Sequence, residues 1–281
     1  MEESDLLSAV GEREIASFRD KGAVVIRDLI SPGWIERLRA VFDEAKAGAM
    51  DLSNYYTDTP GKAPAGSSLT RDDVWMHNAV VRRFLFESPI ARAAALVMNS
   101  RSARIYEDLL IYKSAGSEVS TPWHQDEPQW PLSGQQMSSV WFALEPVRHD
   151  EGALRFVEGS HKGPMYVPYV PQSQRHRLEA DMPFFTGGKL PAIDAEPDRF
   201  KTMCFDLEPG DAIIFHPRTI HAALGTATDR PRRTFSIRFI GDDVRWEPKS
   251  SVFLNWLSEI DLKKGDPITG ERFPEIWSAG D

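Results

Sequence analysis

Arg104-Ile-Tyr-Glu-Asp-Leu-Leu-Ile-Tyr-Lys113 is rich in β-branched and aromatic residues and reads as a strand. Runs of the same kind recur at 138–144, 153–157, 202–206, 212–215 and 234–240, each bounded by Gly, Pro, Asp or Ser. Short strands in series favour a sandwich or jelly roll over alternating βαβ units. Upstream the pattern changes. Residues 12–21 fit a short amphipathic helix closed by Gly22, and residues 23–26 a buried strand. Ser31-Pro32 opens a second helix, with Trp34, Ile35, Leu38, Val41, Phe42 and Ala45 on one face. Ser88-Pro89 opens a third, running to Met98. The predicted fold is mainly β with flanking helices: a helical part over about 1–100, a jelly-roll core over about 101–245 and a C-terminal extension over about 246–281, all one domain. Two irregular stretches interrupt it, 51–68 and 163–199, both candidates for lids or binding loops.

The bulk properties narrow the function. The chain has 281 residues, 41% hydrophobic and 27% charged, which suits a soluble globular protein with a continuous core. Its net charge of −9 argues against a general partner for nucleic acid or anionic membrane, and leaves a small-molecule substrate open. A single cysteine, Cys204, forbids an internal disulfide and fits a reducing, cytoplasmic setting. No basic stretch precedes an apolar run at the N-terminus, and no segment is apolar for long enough to span a bilayer.

Seven histidines are present, and most need no special role. His124 and Asp126 in Thr121-Pro-Trp-His-Gln-Asp126 are two apart, so on extended chain both side chains face one way. Gln125 between them faces the other. Far downstream, Gly210-Asp-Ala-Ile-Ile-Phe-His-Pro-Arg-Thr-Ile-His221 offers a third ligand in either His216 or His221. Two histidines and one carboxylate leave open positions on an octahedral metal, a set that favours non-haem Fe(II) and oxygen chemistry. Eleven residues after His221, Arg232 begins a strand on which Arg232, Thr234, Ser236 and Arg238 alternate onto one face. The planar fork of an arginine suits a buried carboxylate.

In order and spacing these segments resemble the phytanoyl-CoA dioxygenase family of Fe(II)/2-oxoglutarate-dependent oxygenases. The resemblance covers most of the chain. It runs from Glu14-Ile-Ala-Ser-Phe18 and Gly22-Ala-Val-Val-Ile26 through Trp123-His-Gln-Asp126, Glu151-Gly-Ala-Leu154, Gly159-Ser-His161 and Gly210-Asp211. It ends at Phe215-His-Pro-Arg-Thr-Ile-His221 and Arg232-Arg-Thr-Phe-Ser236. It implies a double-stranded β-helix, with iron at His124, Asp126 and His221 and with His216 and His161 structural. It implies that Arg232 grips the distal carboxylate of 2-oxoglutarate and that Trp141 and Leu109 line that pocket. With O2 as the other co-substrate, the implied reaction hydroxylates an unactivated C–H of a small molecule and releases succinate and CO2. Related halogenases lack the carboxylate ligand, so Asp126 favours hydroxylation over halogenation. Trp123 and Trp130 bracket the metal motif and are candidates for the wall of a substrate pocket; Arg238 is a candidate for meeting an acidic substrate. Two other readings compete. A non-catalytic jelly-roll binding protein needs no metal triad, and a cupin-type hydrolase or isomerase needs no Arg232.

Overall fold

The computed structural model describes residues 10–46, 68–168, 183–225, 228–249 and 260–280. The chain enters through helix α1 (Glu12–Lys21) and strand β1 (Ala23–Ile26), joined at Gly22 in the left-handed region at φ 86. Only glycine fits that joint, because a Cβ there would lie 2.5 Å from both His161 Nδ1 and Thr219 Oγ1. Helix α2 (Pro32–Lys46) buries Ile35, Leu38, Val41 and Phe42, the stripe expected from their spacing. Strand β2 (Ser68–Asp72) leads into three short helices, α3 (Val74–His77), α4 (Ala79–Glu87) and α5 (Ile90–Met98). Helix α4 starts where Asn78 Oδ1 accepts the Val80 and Val81 amides, satisfying donors that the first turn leaves open.

From there the chain is mostly strand: β3 (Ser102–Lys113), β4 (Thr121–His124), β5 (Leu132–Ser133), β6 (Met137–Ala143), β7 (Leu154–Val157), β8 (Thr202–Cys204), β9 (Ala212–Phe215), β10 (His221–Ala223), β11 (Arg232–Ile240), β12 (Arg245–Trp246) and β13 (Glu275–Ser278). The large sheet runs β1-β9-β6-β11-β3-β13, with β2 beside the other end of β3. A second sheet runs β4-β10-β7-β8, and β5 pairs with β12. Every ladder between these strands is antiparallel. Two facing antiparallel sheets with helices behind the larger form the expected jelly roll.

The outer face of the large sheet packs on the helices through aromatic contacts, Phe42 on Phe235 at 5.3 Å and Phe84 on Phe142 at 5.5 Å. Trp141, Phe156, Ile213 and Phe215 fill the space between the two sheets. One irregularity matters for the site. Arg238 pairs with Glu107 but Phe239 pairs with Ile105, so Tyr106 is an extra residue in β3. The bulge switches the phase: Ala103 and Ile105 face the helices, whereas beyond it Glu107, Leu109, Ile111 and Lys113 turn to the interior.

The predicted strands match within two residues at nearly every end. The short elements β2, β4, β5, β10, β12 and β13 and helices α3 and α4 carry no clear periodic signal and were not anticipated. The irregular stretch at 51–68 lies outside the described residues except Ser68, which begins β2. Of the second, 169–182 lie outside them, including Arg175-His176-Arg177 and Met182; the described flanks pack together around Phe185 with Met165, Val167 and Phe184.

Candidate metal centre and co-substrate pocket

His124 closes β4 and His221 opens β10, directly opposite each other in the ladder. Their ring centroids are 4.1 Å apart. Each imidazole is tethered at Nδ1 to the carbonyl two residues earlier, Pro122 O at 2.8 Å for His124 and Thr219 O at 2.9 Å for His221. A carbonyl only accepts, so the proton sits on Nδ1 and Nε2 keeps its lone pair. Burial, and then the neighbouring His124, push the His221 imidazole down to about 4, which keeps it neutral at ordinary pH. Asp126 follows β4 at the head of a 3-10 turn, Glu127–Gln129. Its amide donates to Pro217 O at 2.8 Å, so the bend before β10 also fixes the carboxylate. Asp126 Oδ1 lies 3.3 Å from His124 Nε2 and 3.8 Å from His221 Nε2. All three ligand atoms fall within 4.8 Å of one another.

The neighbouring candidates lie elsewhere. Gln125 faces away from the triad, donating to Arg218 O and Pro164 O and accepting the Tyr166 amide. His216 points toward α1, with Phe18 at 6.2 Å and His161 at 5.6 Å, and burial holds it down at about 4. It is not gathered with the triad, and His161 is likewise tied to Arg19 O. Trp123 alternates onto the face opposite His124. Its indole donates to Asp194 and stacks with Arg155, so it does not line the space beside the triad. The bend itself is clamped by a buried ion pair, Arg218 gripping Glu127 with two hydrogen bonds of 2.8 and 2.5 Å.

From the triad the interior face of the large sheet extends in layers set by register. Nearest is Arg238, paired with Glu107 across β3 and beside Ser139 of β6, its guanidinium 3.9 Å from Asp126 Oδ2 and 5.2 Å from the centre of the Trp130 ring. Arg238 is therefore half of an internal ion pair at the metal's edge, neither a surface charge nor an open anion receptor. Tyr106, the bulged residue, packs on Trp130 at 5.1 Å. The next layer centres on Ser236, with Leu109 on one side and Trp141 on the other. At the far end lies Arg232, paired with Lys113.

Arg232 differs from the arginines around it. Arg230 pairs with Glu151 at 2.8 Å, Arg233 with Glu145 at 2.6 Å, and Arg238 with Glu107. Arg232 is 5% exposed, donates Nη1 to the carbonyl of Gly152, and leaves Nε without a partner. Burial alone lowers it to about 10, and among the described residues no carboxylate offsets it. Glu107 and Lys113 went unremarked in the sequence, although they share parity with Leu109 on β3 and so were legible once that residue was placed inside.

The donor set fits the metal and co-substrate that the sequence suggests. Two imidazoles and one carboxylate converge on one point. At the other end of the same face, a buried guanidinium with an unpartnered N–H waits for an anion.

The family model of phytanoyl-CoA dioxygenase (PhyH) matches residues 18–234. The peroxisomal phytanoyl-CoA dioxygenase of Rattus norvegicus is 25% identical over 243 residues, covering 82% of this chain and 68% of the rat protein. Among solved structures, the epimerase SnoN in complex with Fe3+, alpha-ketoglutarate and nogalamycin RO superposes with a TM-score of 0.70 at 21% identity, over 98% of this chain and 100% of that one. EctD from S. alaskensis with 2-oxoglutarate and 5-hydroxyectoine gives 0.70 at 18% identity, over 92% and 86%. At such identities the two structures speak for the fold. Among the described residues no helix is long and apolar enough to cross a membrane.

Proposed function

Because the chain belongs to the phytanoyl-CoA dioxygenase family of iron- and 2-oxoglutarate-dependent dioxygenases, we propose that it hydroxylates a C–H bond of a small-molecule substrate. Iron with 2-oxoglutarate and O2 supplies the oxidising chemistry, with succinate and CO2 as co-products. In this reading His124, Asp126 and His221 hold the metal, and the carbonyls of Pro122 and Thr219 keep both imidazoles in the ligating tautomer. Arg232 binds the distal carboxylate of 2-oxoglutarate, and Leu109 and Trp141 flank the molecule on either side of Ser236. Arg238, in its ion pair with Glu107, and Trp130 border the substrate side.

One observation carries this reading: among the described residues Arg232 is the arginine of its strand without a carboxylate, and it lies on the same interior face as the triad. A binding protein has no need of the triad, and a cupin-type hydrolase or isomerase has no need of that uncompensated charge. The test is anaerobic addition of Fe(II) and then 2-oxoglutarate, which should produce a weak visible charge-transfer band. Absence of the band with iron demonstrably bound overturns the assignment. A screen of small molecules read by succinate release then finds the substrate class.

A further inference from the structure

We propose that Ser139 and Arg238 are positioning residues for the metal ligand Asp126, engaging its Oδ2 so that Oδ1 alone is offered to the ion; the proposal rests on the oxygenase reading above. The two oxygens of this carboxylate look in different directions. Oδ1 lies 3.3 Å from His124 Nε2 and 3.8 Å from His221 Nε2, so it belongs to the ligand cluster. Oδ2 is on the side of Arg238, whose Nη2 is 3.9 Å away. Arg238 and Ser139 are direct partners in the β6–β11 ladder, and Ser139 also pairs with Phe215, the last residue of β9. Ser139 shares parity with Trp141, which lies between the two sheets. It is wholly buried, and its hydroxyl closes no hydrogen bond of full geometry within the sheet. The charged group it acts on is Asp126: against the cost of burial, His221, then His124, then the Ser139 hydroxyl favour the ionised carboxylate.

A guanidinium beside a metal ligand repels an incoming cation if its charge is free. Here it is not. Arg238 is locked to the buried Glu107 opposite it on β3, and it lies 5.2 Å from the centre of the Trp130 ring. The pair is neutral in sum, so what it adds next to Asp126 is direction, fixed by register across β3, β11 and β6. A buried carboxylate oxygen without a partner is costly, and a carboxylate free to turn can offer both oxygens to one ion. Donors on Oδ2 remove both options. One oxygen on the ion leaves open a position that a second oxygen would take from the co-substrate.

Ser138 provides the internal comparison. It is equally buried, and its hydroxyl likewise closes no hydrogen bond. Alternation turns it to the other face of β6, with Val140 and Phe142 of the core beneath the helices. A role confined to packing within β6 predicts the same response from both serines. A role at Asp126 predicts a response from Ser139 alone.

The test is calorimetric titration of the metal-free full chain with Co(II), with the visible absorption of the Co(II) form recorded alongside. Ser139→Ala should weaken Co(II) binding by about tenfold to a hundredfold, the range for losing a partner behind a metal ligand. It should also alter the Co(II) absorption, which follows the number and arrangement of ligand atoms. Arg238→Gln combined with Glu107→Gln removes both charges of the pair together and should do the same. Ser138→Ala should bind within about threefold of wild type, with an unaltered spectrum. Wild-type affinity or a wild-type spectrum in Ser139→Ala or in the paired variant, or equal losses in the two serine variants, overturns the proposal. If Ser139→Ala does not fold, the paired variant decides by the same criterion. Asp126→Ala separates the two readings. If that variant keeps wild-type Co(II) affinity, the metal centre itself is misassigned; if it loses Co(II) while Ser139→Ala and the paired variant do not, only the positioning role fails.

Discussion

The two ends of the interior face are built on opposite electrostatic plans. At the triad, the groups that hold the ligands in place have protein partners. Two imidazoles are tethered to backbone carbonyls, Asp126 sits beside Arg238, Arg238 pairs with Glu107, and the adjoining bend is locked by Glu127 and Arg218. At the deep end, Arg232 and Lys113 are paired in the ladder and donate to carbonyls, with no acid paired to either among the described residues. The first end is rigid before any cation arrives, so ligand atoms need no reorganisation to receive it. The second carries an internal repulsion that a bound anion, or loss of the Lys113 proton, relieves. A dicarboxylate that chelates a metal at one end and meets cations at the other suits both plans.

If the ends are separate devices, they should fail separately. The largest effect is expected from His124→Ala or Asp126→Ala. Either removes one of three protein ligands, so iron content after gel filtration should fall from about one per chain to near zero, and succinate formation with it. Arg232→Met is expected to raise the apparent KM for 2-oxoglutarate by about tenfold to a hundredfold, the scale of a lost charge-assisted pair, with iron content unchanged. Iron loss in Arg232→Met would mean that the ends are coupled through the fold. Gly152→Ala probes the deep end more gently. Gly152 has φ 92, and an added methyl would press on Arg232 Nη1 and on Gly225 O at 2.9 Å. The strain costs about 1–2 kcal/mol, which lowers Tm, and displacement of the guanidinium raises the KM for 2-oxoglutarate several-fold. An unchanged KM would mean that Arg232 holds its place without the Gly152 carbonyl.

Much of this comparison was readable before the fold was known, and unevenly so. Long elements announced themselves through period and punctuation: α1 with Gly22, α2 behind Ser31-Pro32, and β3, β6, β9 and β11 through β-branched runs. His124 and Asp126 were readable because alternation is local. His221 was not separable from His216 by local pattern, because the distinction lies in which strand each histidine meets: His221 meets β4, whereas His216 falls under α1. Trp123 was placed at the metal by proximity along the chain, although its odd offset from His124 already sent it to the other face. Arg238 was offered as a candidate for an acidic substrate from alternation alone; its ion pair with Glu107 was not readable, because that partner lies on a strand far away in sequence. The deep cation pair was invisible for the same reason, since register between β3 and β11 is a tertiary fact.

The last prediction turns to the other face of β3, where a second buried charge provides a control. Asp108 is fully buried against the helices; its Oδ1 accepts the Trp75 amide at 3.3 Å and its Oδ2 has no partner. Burial raises its carboxyl well above the usual range. The sign follows from linkage. The unfolded chain releases this proton near about pH 3.9 and the folded chain only at higher pH, so stability declines as pH rises from the unfolded value to the folded one. Asp108→Asn keeps an acceptor for the Trp75 amide and cannot ionise. It should flatten that decline and leave the protein as stable as wild type, or more so, at pH 8, by up to about 1–3 kcal/mol. Thermal unfolding at pH 5 and pH 8 measures this. The KM for 2-oxoglutarate should not move, because Asp108 faces away from the pocket. A variant less stable than wild type at pH 8 would show that the carboxylate is compensated; a shifted KM would show that the two faces of β3 are not independent. If neither occurs, burial of charge on this strand serves a ligand on the interior face alone.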